Sequence, residues 1–344
     1  MKKHQYIVIL AGGKGERLWP LSREKWPKQL LTIDNSSLLD HTIDRVQSLI
    51  PKSRLFIITT ESQKKTIKKL VGHRIGGIIV EPESCNTAPA ILLACLKIFE
   101  KDAYATIGFV PADHFIPDHN AFAQEFKHAL NHATQENKII LLGIKPNWAA
   151  TGYGYIEYEY QKNKLDNITH KVIRFHEKPT IKTAQYYGGL PNMLWNAGMF
   201  CANISVFLKE FEKHAPKLLK AVQGYLASSI EYNLCEKISI DYALLEKSTN
   251  ISVLPVNFLW SDVGNLEIFL SLINQNVAQK LPIISINAKN NIINISDKLV
   301  ALIGVNNLCV VETNDVLLIV QRDKTDKVKD VVTKLKTQKN EKYL

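Results

Sequence analysis

The sequence predicts an α/β fold, with a mixed, mainly parallel central sheet followed by a small β-rich C-terminal domain. Through the first half, short apolar runs rich in Ile, Val and Phe alternate with longer segments of helical period, and strand–helix–strand repetition implies a parallel sheet covered on both faces. From about residue 150 to 200 the pattern changes to aromatic, alternating strands. Beyond Pro282, short strands and turn-forming asparagines precede a last amphipathic segment. At 344 residues, 46% apolar and 22% charged, the chain has an ordinary globular composition sized for one large and one small domain, which excludes disordered, collagenous and coiled-coil classes.

In chain order, strands are predicted at 6–11, 55–60, 78–81, 105–110 and 139–144. Between them Leu38, Leu39, Ile43, Val46 and Ile50, then Ile91, Leu92, Cys95, Leu96 and Phe99, then Phe122, Phe126 and Leu130 recur at helical spacing. Tyr153–Tyr158, Lys171–His176 and Trp195–Ala202 read as an antiparallel insertion or extension of the sheet. Helical patterns return over 205–247, followed by a strand at 251–256 and a helix near 264–275. The domain boundary is placed at 278/279, giving domains of 1–278 and 279–344. Residues 321–344 hold eight Lys or Arg against four Asp or Glu, and a solvated terminal helix is the expectation there.

No stretch approaches the roughly 18 uninterrupted apolar residues that cross a bilayer, and the run at 6–11 is too short for a signal segment, so no membrane partner is expected. Cys85, Cys95, Cys201, Cys235 and Cys309 are odd in number and contain no C-x-x-C pair, which fits a reducing compartment. A soluble cytoplasmic protein is expected. The net charge of +10 admits phosphate-rich ligands, anionic surfaces or nucleic acid. The basic residues are dispersed and no recognised DNA or RNA motif accompanies them, so no nucleic-acid partner is expected.

In open α/β sheets ligands bind outside the carboxyl ends of the strands, so the loops there carry the chemistry. After the first strand the chain reads Ala11-Gly12-Gly13-Lys14-Gly15-Glu16-Arg17-Leu18. Three glycines in four positions let backbone N–H groups converge on one point, as a phosphate cradle needs and as a plain tight turn also permits. The Gly-Lys-Ser/Thr ending of a Walker loop is missing, and Leu18 replaces the third glycine of a dinucleotide fingerprint. Lys14, Arg17 and Lys28 add cations to the same loop. Asp113 follows the strand at 105–110, and Asp262 lies in Trp260-Ser261-Asp262-Val263-Gly264-Asn265. Each alone reads as a cap or turn former, whereas two carboxylates beside phosphates are the usual environment of Mg2+. Phe175-His176-Glu177-Lys178-Pro179 is a strand ending in an acid–base pair, since Pro179 cannot continue the ladder.

Gly13-x-Gly15-x-Arg17-Leu18 with Pro27-Lys28, then Pro111-Ala112-Asp113-His114, Glu177-Lys178-Pro179, Trp195-Asn196-Ala197-Gly198 and Trp260-Ser261-Asp262-Val263-Gly264 resemble the sugar-1-phosphate nucleotidylyltransferases. Trp19-Pro20-Leu21-Ser22-Arg23, Asn86-Thr87-Ala88-Pro89-Ala90 and Gly152-Tyr153-Gly154-Tyr155-Ile156 resemble more narrowly the mannose-1-phosphate guanylyltransferases. The resemblance runs over residues 5 to about 335. It implies a Rossmann-like nucleotidyltransferase domain, a β-helix-like C-terminal domain, and Mg2+-dependent transfer of GMP from GTP to mannose 1-phosphate. By that resemblance Ala11, Gly12, Gly13, Gly15 and Arg17 hold the triphosphate, and Lys28 the transferring phosphoryl group. Asn86 and Thr87 read the guanine edge, and Asp113 and Asp262 ligate the metal. Gly154, Glu177, Lys178, Asn196 and, more weakly, Asp241 bind the sugar phosphate. Arg17, Lys28 and Asp113 are the expected catalytic residues.

The attacking phosphate oxygen is already ionised, so no general base is expected, and His114 and His176 are assigned orienting or structural roles. What the reaction needs is positioning and charge neutralisation. Cys85 stands where the family commonly carries Arg, which leaves base preference open. A different nucleotide or hexose 1-phosphate, or a non-catalytic regulatory homologue, are the alternatives. Longer relatives carry a phosphomannose isomerase domain, and no isomerase activity is expected here. A homodimer through Leu302, Ile303 and Val305 is one expectation; that they fill their own domain's core is the other.

Overall fold

The computed structural model describes residues 3–160, 167–276 and 282–344, so the boundary expected at 278/279 lies outside the described residues. Helices α1 (Leu38–Val46), α2 (Glu61–Val71), α3 (Thr87–Phe99), α4 (His119–Glu136), α5 (Ile181–Gly188), α6 (Ile204–His214), α7 (Pro216–Leu226), α8 (Leu266–Asn276) and α9 (Val328–Thr337) follow in chain order. By internal contacts the chain forms two compact units. Residues 1–12, 42–111 and 116–259 make the first, and residues 13–41, 112–115 and 260–344 the second. The glycine-loop segment and residues 260–276 therefore pack with the C-terminal strands, a grouping that the order of the sequence conceals.

The first unit contains, among the described residues, a nine-stranded sheet. Its members are β1 (Gln5–Leu10), β2 (Leu55–Thr60), β3 (Gly77–Glu81), β4 (Thr106–Pro111), β5 (Ile139–Ile144), β6 (Tyr155–Tyr158), β7 (His170–His176), β8 (Met193–Asn203) and β9 (Ile251–Val256), in the order 3-2-1-4-8-5-9-7-6. β1 to β4 pair in parallel, as do β5 and β9. The aromatic strands β6, β7 and β8 are its antiparallel members, β8 lying between β4 and β5. The central parallel strands β1, β2, β4 and β5 are near-continuous apolar runs because both faces are covered. Ile107 and Phe109 of β4 share a buried cluster with Ile91 and Cys95 of α3 and Phe207 and Phe211 of α6. Gly108, pointing the other way, leaves room for α4: a Cβ there would lie 2.7 Å from the Phe126 ring. The helical patterns expected over 205–247 fold as α6, α7 and two short helical turns. Pro216 opens a new helix, Ser228 takes a positive φ of 57° just after α7, and a 3-10 turn at Tyr232–Leu234 and a π-helical turn at Asp241–Leu245 follow.

In the second unit β10 (Ile283–Ile286), β11 (Ile292–Asn294), β12 (Val300–Ile303), β13 (Leu308–Glu312) and β14 (Leu317–Gln321) form a small coil. β10 pairs in parallel with β12 (Ile283 to Val300) and β11 with β13 (Ile292 to Cys309), a repeat of one β-helix turn. Asn287, Asn290 and Asn307 turn its corners with positive φ, which asparagine tolerates well. Ile292, Cys309 and Val311 bury against Leu266, Phe269 and Leu270 of α8 and against Leu18, Leu31 and Ile33 from the glycine-loop segment. Leu302 packs on Ile293 and Val310 within its own domain, whereas Ile303 is 67% exposed, so Leu302 is a core residue rather than a contact residue. No helix among the described residues is long and apolar enough to cross a membrane.

Candidate active site

The second unit gathers Gly13, Gly15, Arg17, Lys28, Asp113 and Asp262 from three stretches of chain. Gly15 has a φ of 69° and its backbone lies so close to Lys28 that a Cβ would fall 2.4 Å from the Lys28 Cβ, so only glycine fits. The turn Glu16–Leu18 follows directly, with Leu18 N and Ser22 Oγ both donating to the Gly15 carbonyl at 2.9 and 2.6 Å. The loops of the two aspartates are zipped together. Phe115 N donates to Ser261 O at 2.9 Å, Ser261 N to Phe115 O at 3.0 Å, and Trp260 Nε1 to His114 Nδ1 at 3.1 Å. His114 is thereby tied to the loop of Asp262.

Lys28 is the centre of this group. Its Nζ lies 2.8 Å from Asp113 Oδ2 and donates to the Asp262 carbonyl at 2.6 Å. Burial pushes the Asp113 carboxyl up, but the charges of Lys28 and His114 and the Lys28 hydrogen bond outweigh it and hold the group below its ordinary value. The Asp262 carboxylate accepts from Gly264 N at 3.1 Å. A cavity of about 550 Å³ is lined by Gly15, Arg17, Lys28, Asp113, Asp262 and Lys329. Two carboxylates at one cavity, with a cation held between their loops, fit a hard divalent ion that takes few protein ligands and completes its shell with phosphate oxygens.

The first unit carries Ala11, Gly12, Asn86, Thr87, Gly154, Glu177, Lys178, Asn196 and Asp241. β7 ends at His176, delivering Glu177 and Lys178 to its edge, and their side chains form an ion pair. Gly154 lets these side chains approach closely: a Cβ there would lie 2.8 Å from both Glu177 Oε2 and the Phe175 ring and would push them aside. The register of β8 shifts between Asn196 and Phe200, with Gly198 at a φ of 67°, and this bulge re-aims Asn196. Asn196 N donates to Gly154 O at 2.8 Å and Asn196 Nδ2 to Asp241 Oδ1 at 3.2 Å. Burial, then the charge of Glu177, push the Asp241 carboxyl up to about 6. Burial works to lower Lys178, but Glu177 and Asp241 hold it above its ordinary value. His176 meets Glu157 and Tyr187, a structural role.

Asn86 caps α3, its Oδ1 accepting from Thr87 N at 2.8 Å, and it takes a φ of 73°. Thr87 Oγ1 accepts from Ile240 N at 2.8 Å, which ties the start of α3 to the turn that carries Asp241. The Ala11 carbonyl accepts from Thr59 Oγ1 at 2.8 Å. Glu81 escaped the sequence reading. It ends β3, is 3% exposed, accepts from Tyr232 Oη at 2.9 Å, and its Oε1 lies 3.3 Å from where a Cβ on Gly12 would stand. Burial pushes this carboxyl up to about 7 despite the Tyr232 bond. Its sequence signal was an acid closing an otherwise apolar strand, followed by Pro82. Cys85, fully buried, points its thiol at the Tyr232 carbonyl, 3.8 Å away, so it is packed into this wall rather than offered to a ligand. Lys329 also escaped.

Residues 6–280 match the family described as nucleotidyl transferase, and residues 282–335 the mannoseP isomerase/GMP-like beta-helix domain. The chain is similar to the mannose-1-phosphate guanylyltransferase of Salmonella muenchen, at 35% identity over 96% of this chain and 73% of that protein. It is also similar to that of Escherichia coli strain K12, at 33% identity over the same shares. A crystal structure from Thermus thermophilus, described as a mannose-1-phosphate geranyltransferase, superposes with a TM-score of 0.85 at 29% identity, covering 97% of this chain and 99% of that one. The chain belongs to the nucleotidyl transferase family, within the group of the mannose-1-phosphate guanylyltransferases, and carries their C-terminal β-helix domain.

Proposed function

We propose that this protein transfers GMP from GTP to mannose 1-phosphate, giving GDP-mannose and pyrophosphate with Mg2+. The observation that carries the reading is Lys28, held 2.8 Å from the Asp113 carboxylate and bonded to the Asp262 carbonyl at one cavity with Arg17 and the glycine turn. The names of the curated relatives support the substrate pair.

In this reading the backbone of Gly12, Gly13 and Gly15 cradles the triphosphate, Arg17 forks onto its oxygens, and Lys28 meets the phosphoryl group under attack. Asp113 and Asp262 would hold Mg2+, which supplies charge neutralisation for the triphosphate. Asn86 and Thr87, at the start of α3, face the guanine edge. Lys178 takes the phosphate of the sugar, while Glu177, Asp241 and Asn196 accept from or donate to its hydroxyls. The sugar phosphate attacks in line with the leaving pyrophosphate and needs no proton removed, so catalysis is positioning plus electrostatics.

The test is pyrophosphate release with Mg2+, crossing GTP, ATP, UTP and dTTP against mannose 1-phosphate and glucose 1-phosphate. Release with GTP and mannose 1-phosphate alone is expected. Release with another pair would overturn the substrate and keep the mechanism, and no release from folded protein would overturn both.

A further inference from the structure

The terminal helix α9 is more than the solvated helix its composition predicts. Val328 and Val332, 2% and 4% exposed, bury against Trp19 just beyond the glycine turn. Trp19 Nε1 donates to the Tyr343 carbonyl at 2.8 Å, the Arg23 guanidinium donates to the same carbonyl, and Lys336 pairs with Glu16. This seating fixes the helix on the turn that carries Arg17, and it places Lys329, one residue after Val328, on the wall of the cavity shared by Arg17, Lys28, Asp113 and Asp262.

The charge pattern around that cavity is uneven. Lys28 is paired with Asp113, and Lys14 lies 3.9 Å from Glu24. Arg17 and Lys329 line the same cavity with no carboxylate within ion-pair distance among the described residues. Glu16, paired with Lys336, and Asp262 also line the cavity, and an anion with several oxygens would satisfy Arg17 and Lys329 together.

Resting on the function proposed above, we propose that Lys329 binds the nucleotide's β- and γ-phosphates, the part that leaves as pyrophosphate, alongside Arg17. The C-terminal helix thereby completes the triphosphate site. Lys28 and the two aspartates occupy the reacting end, and Lys329 sits with the turn that holds Arg17, so its contact falls on the leaving group. Lys329 lowers the KM for GTP in the forward direction and for pyrophosphate in the reverse direction, and leaves the sugar phosphate alone.

The experiment compares wild type, Lys329→Ala, Lys329→Arg and Lys339→Ala, the last an exposed lysine that does not line the cavity. Steady-state kinetics in both directions are paired with titration of inorganic pyrophosphate and with thermal midpoints. Lys329→Ala is expected to raise the KM for GTP and for pyrophosphate about tenfold or more, the worth of one charge-assisted phosphate contact. The KM for mannose 1-phosphate and the thermal midpoint should stay unchanged, and Lys329→Arg should restore most of the affinity. Equal GTP and pyrophosphate constants in wild type and Lys329→Ala, or an equal change in Lys339→Ala, would overturn the assignment. Wild type that neither turns over a nucleotide nor binds pyrophosphate would sink the functional reading itself. An active wild type with an indifferent Lys329→Ala would sink this inference alone. Wild type that binds pyrophosphate without turnover still decides the role of Lys329 through the titration.

Discussion

Asp113 and Asp241 are the same side chain in two settings, one in each compact unit, and their acidities move in opposite directions. Asp113 sits beside an ammonium and an imidazole, and its carboxyl falls below the ordinary value. Asp241 is half-buried beside Glu177; loss of water and then the Glu177 charge push its carboxyl up to about 6, and Lys178 only partly offsets them. The lesson is that the neighbours, and not the residue type, assign the task. A carboxylate kept ionised by cations suits a site for metal and phosphates, while one sharing space with another acid and an amide suits sugar hydroxyls.

The comparison breaks first at Asp113. Asp113→Ala should cut pyrophosphate release by about a thousandfold, because it removes a charge at the reacting centre, and should lower the thermal midpoint without unfolding the protein, because Lys28 loses its ion-pair partner. Retention of most activity would end the metal assignment.

Next comes the pH dependence contributed by Asp241. A folded-state pKa raised above the unfolded one means the folded form binds more protons, so stability is greatest below about 3.8, falls as pH rises to about 6, and is then level. Asp241→Asn keeps the acceptor for Asn196 and should remove this slope. It should gain about 1–3 kcal/mol above pH 6 in denaturant titrations. An unchanged slope would mean that Asp241 is not held near Glu177 as described.

Lys178→Ala sharpens the comparison from the other side. It should raise the KM for mannose 1-phosphate roughly 10- to 100-fold and leave that for GTP alone, as loss of a charge-assisted bond requires. An effect confined to GTP would show that the two residue sets had been assigned to the wrong substrates.

Much of both sites was legible in the sequence because their groups sit in short contiguous motifs at strand ends. The glycine turn and Asp113 after β4 were each marked by an apolar run that stops at a loop, and Glu177-Lys178 after β7 by the Pro179 that stops the strand. Glu81 carried only a weak signal, one acid closing an apolar strand before Pro82, and its approach to Gly12 and Tyr232 gives that signal meaning. Cys85 looked like a missing contact until its burial showed it packed under Tyr232. Lys329 was lost in a charged segment whose composition predicts solvent exposure, and the valines that seat the helix were too few to signal what they cover.

By itself the sequence determined the strand and helix periods, the parallel half of the sheet, the asparagine corners of the C-terminal coil and the motifs that build the candidate site. These follow from local backbone preferences and from alternation of apolar residues, which are written within a few positions of one another. Only the tertiary structure decided that residues 13–41 and 260–276 join the C-terminal strands, that β8 threads antiparallel between β4 and β5 and bulges at Asn196, and that a lysine some 300 residues from the glycine turn lines its cavity. Those are choices among long-range pairings. They are set by which apolar faces bury one another and which charges that burial leaves together, quantities that exist only once the chain has closed on itself.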